Sequence, residues 1–286
     1  MAKVLSVSSQ VVYGHAGNSA GVFALQRMGH EVLALPTVLL SNRPGYGAIA
    51  GEAIEPARLD AMLKALEANN FLSGVDAILT GYMPTAAHAE LCARWIEAAG
   101  GRPLYVCDPI IGDDPGGIYI REEAAHAIRE RLVPLADVLT PNLFELGWLT
   151  GAPVGGAGEA VEAARSLGKA AIIVTSAPAS APGRVATLLV EEASAAACEA
   201  PRETVLAHGT GDFLAAMFLA HRLNGLAGAE ALQAACAAMS LVLAASRGRT
   251  ELALIETQGE WARVPPPLAP LTPVRGGPRS ARRQKP

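Results

Sequence analysis

Four consecutive residues, Gly209, Thr210, Gly211 and Asp212, stand directly before a run of Phe, Leu, Ala and Met. The apolar run predicts a buried helix, so the glycines and the Asp would lie at its N-terminus. Backbone N–H groups there attract anions, and glycine lets a phosphate approach closely. An Asp beside a bound phosphate could take a proton from a hydroxyl during phosphoryl transfer. Helix capping by Asp212 is the structural alternative.

Three polar residues of "TPNLFEL" end a predicted strand and open a predicted helix: Thr140, Asn142 and Glu145. Asn142 and Glu145 are three residues apart, a spacing that locally favours a capping box, and oxygen ligands for a hard cation are the functional alternative. The segment "CDPIIGDD" places three more carboxylates after another strand: Asp108, Asp113 and Asp114. Several acids near a phosphate repel it unless cations are present, so the combination favours a metal ion.

The common nucleotide-binding fingerprints are missing. No GxGxxG follows the first predicted strand, and "YGHAGNSAG" has the wrong spacing. The chain's one Gly-Lys pair, Gly168 and Lys169, is followed by Ala170 instead of Ser or Thr, so there is no P-loop. The segment "GTGD" is therefore the best candidate for a phosphate cradle.

The elements that would position these residues alternate along the chain. Short apolar runs predict buried parallel strands at 3–9, 31–40, 76–82, 103–109, 137–142 and 170–176. Helices are predicted near 17–29, 56–70, 85–99, 121–132, 142–150, 157–168, 210–224 and 228–246, and a hairpin at 184–200. This order predicts an α/β fold, with a mostly parallel central sheet and helices on both faces.

The predicted strands end in polar residues, at the edge where doubly wound sheets bind ligands. They are Ser8, Ser9, Ser41, Asn42, Thr80, Tyr82, Asp108, Thr140, Asn142, Thr175 and Ser176. One polar strand end is ordinary, because every strand must stop. Six such ends on one edge indicate a binding crevice.

Composition limits the function classes. The 286 residues are 51% hydrophobic and carry a net charge of −4, while residues 262–286 hold six Arg or Lys residues and no acid. The rest of the chain is therefore acidic, which argues against nucleic-acid binding. The N-terminus shows no signal-peptide pattern, and the uncharged stretch 231–245 is short for a membrane span. Four scattered cysteines favour a reducing compartment, so we expect a cytoplasmic protein without a membrane partner.

Two segments break the alternation. The Gly-rich stretch 42–54 is long for a connection and predicts a flap. Residues 262–286 hold seven of the twenty prolines and predict a disordered tail. We therefore expect one domain over residues 1–261 followed by this tail.

Taken together, these motifs resemble the pyridoxal kinases of the ribokinase-like superfamily over roughly residues 3–257. The segments "VVYGHAGNSA" and "LSNRPGYG" are similar to the pyridoxal branch, whereas "GTGD" and Asn142-x-x-Glu145 are shared by the wider superfamily. The resemblance implies a three-layer ribokinase-like fold with a small flap over the site. It also implies ATP-dependent phosphorylation of the 5′-hydroxymethyl group of pyridoxal, and also of pyridoxine or pyridoxamine, in vitamin B6 salvage. A homodimer is implied as well.

The resemblance assigns roles on the acceptor side of the site. Asp212 would be the catalytic base, and Gly209, Thr210 and Gly211 would form the anion hole. The remaining predicted acceptor contacts are Ser9 on the pyridine ring, Tyr82 on its face, and Arg43, Pro44 and Gly45 in the flap. Two departures from the family pattern, Gln10 and the "SNRP" segment of the flap, bear on substrate preference.

It likewise assigns roles on the nucleotide side. The predicted ATP and Mg²⁺ site comprises Asp108, Asn142, Glu145, Thr175 and Ser176. A monovalent-cation cluster, for K⁺, would comprise Asp113, Thr140 and Glu145. The loop 111–120, with Tyr119, would cover the nucleotide.

Two other functions stay open at this stage. A hydroxymethylpyrimidine kinase acts on a similar ring with a hydroxymethyl group, although the N-terminal segment looks less like that branch. A non-catalytic binder of pyridoxal phosphate or nucleotide would keep the fold, but the intact "GTGD" and Glu145 speak against it. His15 is a further candidate for approach to the substrate, or else a solvated loop residue.

Overall fold

The central element of the fold is a ten-stranded sheet. The computed structural model describes residues 1–204, 207–263 and 270–277. The strands are β1 (Lys3–Tyr13), β2 (Glu31–Asn42), β3 (Gly51–Ala53), β4 (Ala77–Thr80), β5 (Leu104–Cys107), β6 (Gly112–Asp113), β7 (Gly117–Ile118), β8 (Val138–Leu139), β9 (Ala171–Pro178), β10 (Arg184–Glu191), β11 (Ala195–Pro201) and β12 (Leu271–Pro273). The sheet order is β12-β11-β10-β9-β8-β5-β4-β1-β2-β3, and β6 pairs separately with β7.

Six neighbouring strands, from β9 to β2, run parallel. The strands β3, β10, β11 and β12 join antiparallel at the two ends. The predicted mostly parallel α/β sheet is therefore confirmed. Because the parallel strands end at one edge, the polar residues that follow them meet there.

The helices are α1 (Asn18–Arg27), α2 (Pro56–Ala68), α3 (Ala86–Ala98), α4 (Glu122–Ala127), α5 (Leu143–Leu149), α6 (Ala157–Ser166), α7 (Thr210–Leu223), α8 (Gly228–Ala245) and α9 (Leu254–Trp261). A π-helical turn over Ile128–Leu132 and a 3₁₀ turn over Val133–Leu135 continue α4. All eight helices predicted from the sequence are present, whereas α9 was not predicted.

Two apolar cores lie on opposite faces of the sheet. Alternate strand residues point to opposite faces, so Leu5 packs with α2 to α6 while Val4 packs with α1, α7, α8 and α9. Small Ala side chains let α7 and α8 lie close to the strands. The fold therefore has three layers.

The C-terminal segment corrects one prediction. Residues 262–286 were predicted to be a disordered tail, yet Leu271–Pro273 form β12 and pair with Ala196, Ala197 and Cys198 of β11. The apolar side chains of Leu271 and Val274 each pack against one of the two cores, which offsets the loss of chain entropy. The disorder predicted for 264–269 and 278–286 lies outside the described residues.

Helix α8 is, by length and composition, apolar enough to cross a membrane. In the fold it packs against α7, α9, β10 and β11, and Leu232, Ala235 and Val242 are buried there. Part of its apolar surface is thus buried against the rest of the chain.

Candidate active site

The predicted anion site has the backbone conformation that it requires. Gly209 is the N-cap of α7 and adopts a left-handed conformation with φ of +89°. A Cβ at this position would lie 1.7 Å from the carbonyl oxygen of His15, so only glycine fits. This close contact also holds the loop between β1 and α1 against the N-terminus of α7. The structure therefore places Thr210 and Gly211 in the first turn, where N–H groups are free of helical partners.

Asp212 is the third residue of α7, and Gly209, not Asp212, occupies the N-cap position. A small cavity connects the Asp212 carboxylate with the carboxyl ends of the central strands. Its lining includes Ser6, Ser8, Asn18, Thr80, Asp108 and Asp212. The helix-starting acid therefore also faces the crevice that the strand ends predicted.

Two carboxylates approach each other across this crevice. Burial raises the pKa of Asp212, and the backbone N–H groups of Gly17 and of Asp212 itself offset part of that rise. Burial raises the pKa of Asp108 well above its usual range, and the nearby charges of Asp212 and Glu145 raise it further. Thr140 Oγ1 donates to Asp108 Oδ1 at 2.9 Å. The repulsion between the two carboxylates favours the protonated form of one of them.

Glu145 is buried at the start of α5 and forms the capping box that its spacing favours. Asn142 Oδ1 accepts from Glu145 N at 2.9 Å, and Glu145 Oε2 accepts from Asn142 N at 2.9 Å. Glu145 Oε1 also accepts from Ile111 N at 2.7 Å. Burial raises the Glu145 pKa to about 7, although these N–H groups oppose the rise. Glu145 therefore fixes the start of the 111–120 loop as well as the helix.

The 111–120 loop is a hairpin formed by β6 and β7. Asn142 Nδ2 donates to Gly112 O at 2.7 Å, which ties the hairpin to α5. The Tyr119 side chain is exposed, yet partial desolvation and four nearby carboxylates raise its pKa: those of Glu145, Asp108, Asp113 and Asp212. Tyr119 thus lies beside the acidic group, where the covering loop was predicted.

Thr175 and Ser176 end the parallel part of the sheet on the predicted nucleotide side. Thr175 pairs with Asn142, and its N–H donates to Pro141 O at 2.9 Å. Ser176 is exposed and has a φ of +58°, which is uncommon for a residue with a side chain. Such outliers cluster at ligand sites, so this position is consistent with the predicted role.

On the acceptor side, Ser9 lies at a register irregularity between Ser8 and Gln10 in β1. Its hydroxyl packs against Gly17, where a Cβ would come within 2.1 Å of Ser9 Oγ. Tyr82 is half-buried, and its N–H donates to Ser8 Oγ at 3.1 Å. Ser9 therefore adjoins the loop that touches Asp212, and Tyr82 is tied to the neighbouring residue Ser8 of β1.

The flap corresponds to residues 43–50 between β2 and β3. Pro44 and Gly45 are exposed, whereas Arg43 is buried and its Nε lies 2.9 Å from Glu251 Oε1. Arg43 was predicted to contact the acceptor. In this conformation its side chain instead contacts protein groups.

Two residues at the site were not predicted from the sequence. Glu251 precedes α9 and contacts the flap, and no motif marks it. Asn18 is buried beside the cavity, where it accepts from Ser6 Oγ at 2.8 Å and donates to Ser8 O at 3.3 Å. The only signal for Asn18 was a polar residue at the start of a predicted buried helix.

The predicted cation ligands do not form one compact cluster. Thr140 is bonded to Asp108, Glu145 is bonded to backbone N–H groups, and Asp113 is exposed in the hairpin. Within the described ranges, no three His, Cys, Asp or Glu side chains are grouped so as to hold a metal ion. The cation sites stay predictions.

Comparison with known proteins supports the family that the sequence motifs resemble. A family model described as phosphomethylpyrimidine kinase matches residues 13–252. The pyridoxal kinase PdxY of Leifsonia xyli is 37% identical over 270 residues, which cover 91% of this chain and 95% of that protein. A pyridoxine/pyridoxal/pyridoxamine kinase of Bordetella avium is 40% identical over 252 residues, 85% of each chain.

This chain belongs to the pyridoxal kinase family. Its fold agrees with that of a pyridoxal kinase from Leishmania donovani in complex with ADP and pyridoxine, with a TM-score of 0.88 at 29% identity. That match covers 95% of this chain and 99% of the other. The predicted family and the ribokinase-like fold are therefore confirmed, and the roles predicted for individual residues stay predictions.

Proposed function

We propose that this chain uses ATP to phosphorylate the 5′-hydroxymethyl group of pyridoxal, and also of pyridoxine and pyridoxamine, in vitamin B6 salvage. One observation carries the proposal: Asp212 follows the glycine-capped N-terminus of α7 and faces Asp108 across the crevice. The related pyridoxal kinase from Leishmania donovani was solved with ADP and pyridoxine and with ADP and pyridoxamine, which supports both substrates.

The residues divide the chemistry between them. The N–H groups of Gly209 to Gly211 would hold the transferring phosphoryl, because they begin α7 and the helix dipole favours negative charge there. Asp212 would take the hydroxyl proton as the oxygen attacks phosphorus in line. The raised pKa of Asp212 brings it closer to neutrality, where a base transfers protons most effectively.

The two substrates would enter from opposite sides of Asp212. Ser9, Tyr82 and the flap lie toward β1, β4 and β2, so the vitamer ring would bind there. Asn142, Thr175 and Ser176 lie toward β8 and β9, so ATP would bind there, under the 111–120 hairpin. The flap and the 111–120 hairpin would both exclude water, which would otherwise compete as the phosphoryl acceptor.

We also propose Mg²⁺ and a monovalent cation such as K⁺ as cofactors. Asp108 fits Mg²⁺ because it lies next to the anion site. Its Oδ2 is 3.9 Å from the position that a Cβ on Gly211 would occupy. Mg²⁺ prefers such carboxylate oxygens and would neutralise phosphate charge when bound. Asp113, Thr140 and Glu145 would serve the monovalent ion only after moving together, because they do not form one cluster in this conformation. Activity measured with and without each ion tests this.

The reaction is tested by ADP release with ATP and each of four acceptors: pyridoxal, pyridoxine, pyridoxamine and hydroxymethylpyrimidine. We expect turnover with pyridoxal, and mass spectrometry should find the phosphate on its 5′-oxygen. The name of the matching family model favours hydroxymethylpyrimidine as the second candidate acceptor. Faster turnover with that acceptor than with all three vitamers would overturn the proposal. Tight vitamer binding without ADP release would instead indicate a non-catalytic binder.

A homodimer and a cytoplasmic location are part of the proposal. Four apolar side chains are exposed along the β1–β2 ribbon and the flap: Val12, Tyr13, Leu39 and Ile49. Exposed apolar side chains are typical of interfaces, so the ribbon and the flap suit contact with a second copy. Light scattering should give twice the chain mass, and Val12→Glu should give monomers. All four cysteines are free, which fits a reducing compartment, and cell fractionation tests the location.

A further inference from the structure

Glu251 joins three loops through one largely buried carboxylate. Its Oε1 accepts from Arg43 Nε at 2.9 Å and from Tyr46 OH at 2.6 Å, and both donors belong to the flap. Its Oε2 accepts from His15 N at 2.9 Å, in the loop between β1 and α1. Glu251 itself lies in the connection between α8 and α9. Charge-assisted hydrogen bonds of this kind are about twice as strong as neutral ones.

Arg43 completes the connection from the other side. Its NH2 group donates to Thr250 O at 2.7 Å and its NH1 group to Pro44 O at 3.0 Å. Its guanidinium carbon lies 4.7 Å from the centre of the Tyr46 ring, a cation–π distance. The side chains of Arg43 and Glu251 are 6% and 13% exposed, so water screens the pair only weakly.

The backbone on both sides is shaped to admit these two side chains. Gly14 has a φ of +101°, and a Cβ there would lie 2.6 Å from Glu251 Oε2. Gly45 has a φ of +105°, and a Cβ there would lie 2.9 Å from Arg43 NH1. Glycine at both positions combines a left-handed conformation with a close approach to the ion pair. The two loops are therefore built around the pair.

The loop held by Glu251 is the one that touches the active site. The carbonyl oxygen of His15 packs on Gly209, and Gly17 packs on Ser9 and approaches the Asp212 carboxylate through its N–H. Glu251 thus connects the flap to a loop that contacts the anion site, the base and a predicted ring contact. The connection lies on the β1–β2 side of the crevice, away from Asn142 and Thr175.

We propose that Arg43 and Glu251 are positioning residues that hold the flap against the β1–α1 loop and thereby set the affinity for the vitamer. Neither touches the reacting atoms. This inference rests on the proposed function, and it assigns Arg43 an indirect part in substrate preference. Because the pair lies on the acceptor side, its loss should weaken vitamer binding while ATP binding is kept.

The test compares Arg43→Ala, Arg43→Lys, Glu251→Ala and the double alanine variant with the wild type. We expect each single alanine variant to raise KM for pyridoxal about tenfold, while KM for ATP stays within twofold. The double variant should be no worse than the worse single one, because one connection is lost in each. Arg43→Lys should recover part of the affinity, since it keeps a charge for Glu251 but not the fork that reaches Thr250.

A matched control lies in the same connection. Arg249 pairs with Glu256 on the exposed side, where both side chains are about half exposed. Arg249→Ala should leave both KM values unchanged.

Hydrogen–deuterium exchange of the ligand-free protein gives a readout independent of turnover. Peptides covering residues 40–50 should exchange faster in Arg43→Ala and Glu251→Ala but not in Arg249→Ala. Faster exchange with an unchanged KM for pyridoxal would overturn the positioning role, as would an equal rise in KM for ATP. Unchanged exchange in the flap would show that the pair does not hold it. If the wild type phosphorylates no vitamer, the proposed function fails while the exchange experiment still tests the connection.

Discussion

At the scale of single residues, the site depends on carboxylates that the protein brings together at an energetic cost. Asp108, Glu145 and Asp212 all have raised pKa values, chiefly because burial penalises their ionised forms. Like charges in one crevice are unfavourable without a proton or a cation nearby. A site that binds a polyphosphate together with metal ions supplies those cations. The cost is therefore understandable as preorganisation for phosphoryl transfer.

Asp212→Asn separates the proposed base from its structural role. Asn has the same size and can still accept from backbone N–H groups, but it cannot take a proton. We expect kcat to fall by about 10²–10⁴-fold, with KM for both substrates within threefold of the wild type. Steady-state ADP release measures this, with Asp60→Asn on the outer helix α2 as the control. A variant that kept more than a tenth of wild-type turnover would show that another group is the base.

Glu145 predicts a pH dependence of stability. Its pKa is raised to about 7 in the folded protein, so between its ordinary value and 7 the folded state holds a proton that the unfolded state has lost. Its contribution is therefore greatest at low pH and is lost as pH rises through this window, by up to about 3 kcal/mol. Urea unfolding of wild type and Glu145→Gln at pH 5, 6, 7 and 8 measures it. The wild-type free energy of unfolding should decline relative to the variant up to pH 7 and then level off. A constant difference would contradict the raised pKa.

Local spacing predicted the residues whose partners are close in the chain. Asn142 and Glu145 are three apart and form a capping box, and Asp212 follows the glycines that cap its helix. Glu251 could not be found in this way, because its partner Arg43 is 208 positions away and no local pattern links them. The same holds for Thr140 and Asp108, which only strand order brings together.

At the scale of elements, helix α7 can present its first N–H groups to the crevice only if the chain enters the helix through a tight turn. Gly209 provides that turn, and the carbonyl group of His15 occupies the space beside it. Gly209→Ala should therefore displace either the β1–α1 loop or the start of α7. We expect at least a hundredfold loss of kcat/KM, together with a lower Tm.

The matched control for Gly209→Ala is Gly225→Ala, just after the other end of α7. Gly225 has a similar φ of +93°, but no atom lies within 4 Å of its Cβ position. This variant should lose about 1–2 kcal/mol of stability from the left-handed conformation alone and keep its activity. Activity assays and thermal unfolding compare the two. Equal loss of activity in both would mean that backbone strain, not the contact with His15, sets the effect.

Hydrophobic periodicity predicted most of the helices and strands, because each of them buries one face or both. The parallel strands read as apolar runs and the helices as longer amphipathic or Ala-rich stretches, so their existence and order were predictable. The exceptions are elements whose stability comes from a distant partner. Strand β12 is only three residues long and contains Thr272 and Pro273, so its sequence does not predict a strand. It forms because it pairs with β11.

At the scale of the whole molecule, β12 closes one end of the sheet. Val274 N donates to Ala195 O at 2.9 Å, and Gly277 N donates to Gly158 O at 3.2 Å in α6. Pro273 cannot donate a hydrogen bond, so it keeps the new edge from pairing with other chains. The segment therefore secures α6 and protects β11, at the opposite end of the sheet from the flap.

Deleting residues 264–286 should therefore destabilise the protein without disabling its chemistry. Loss of the Leu271 and Val274 contacts should cost about 1–3 kcal/mol, and the bare β11 edge should promote aggregation on heating. Deleting only 278–286 keeps β12 and is the matched control. Urea unfolding, light scattering during heating and ADP release compare the two. Because β11 lies several strands from Asp212, kcat should stay within twofold in both. A longer deletion as stable as the shorter one would show that β12 contributes nothing to the fold.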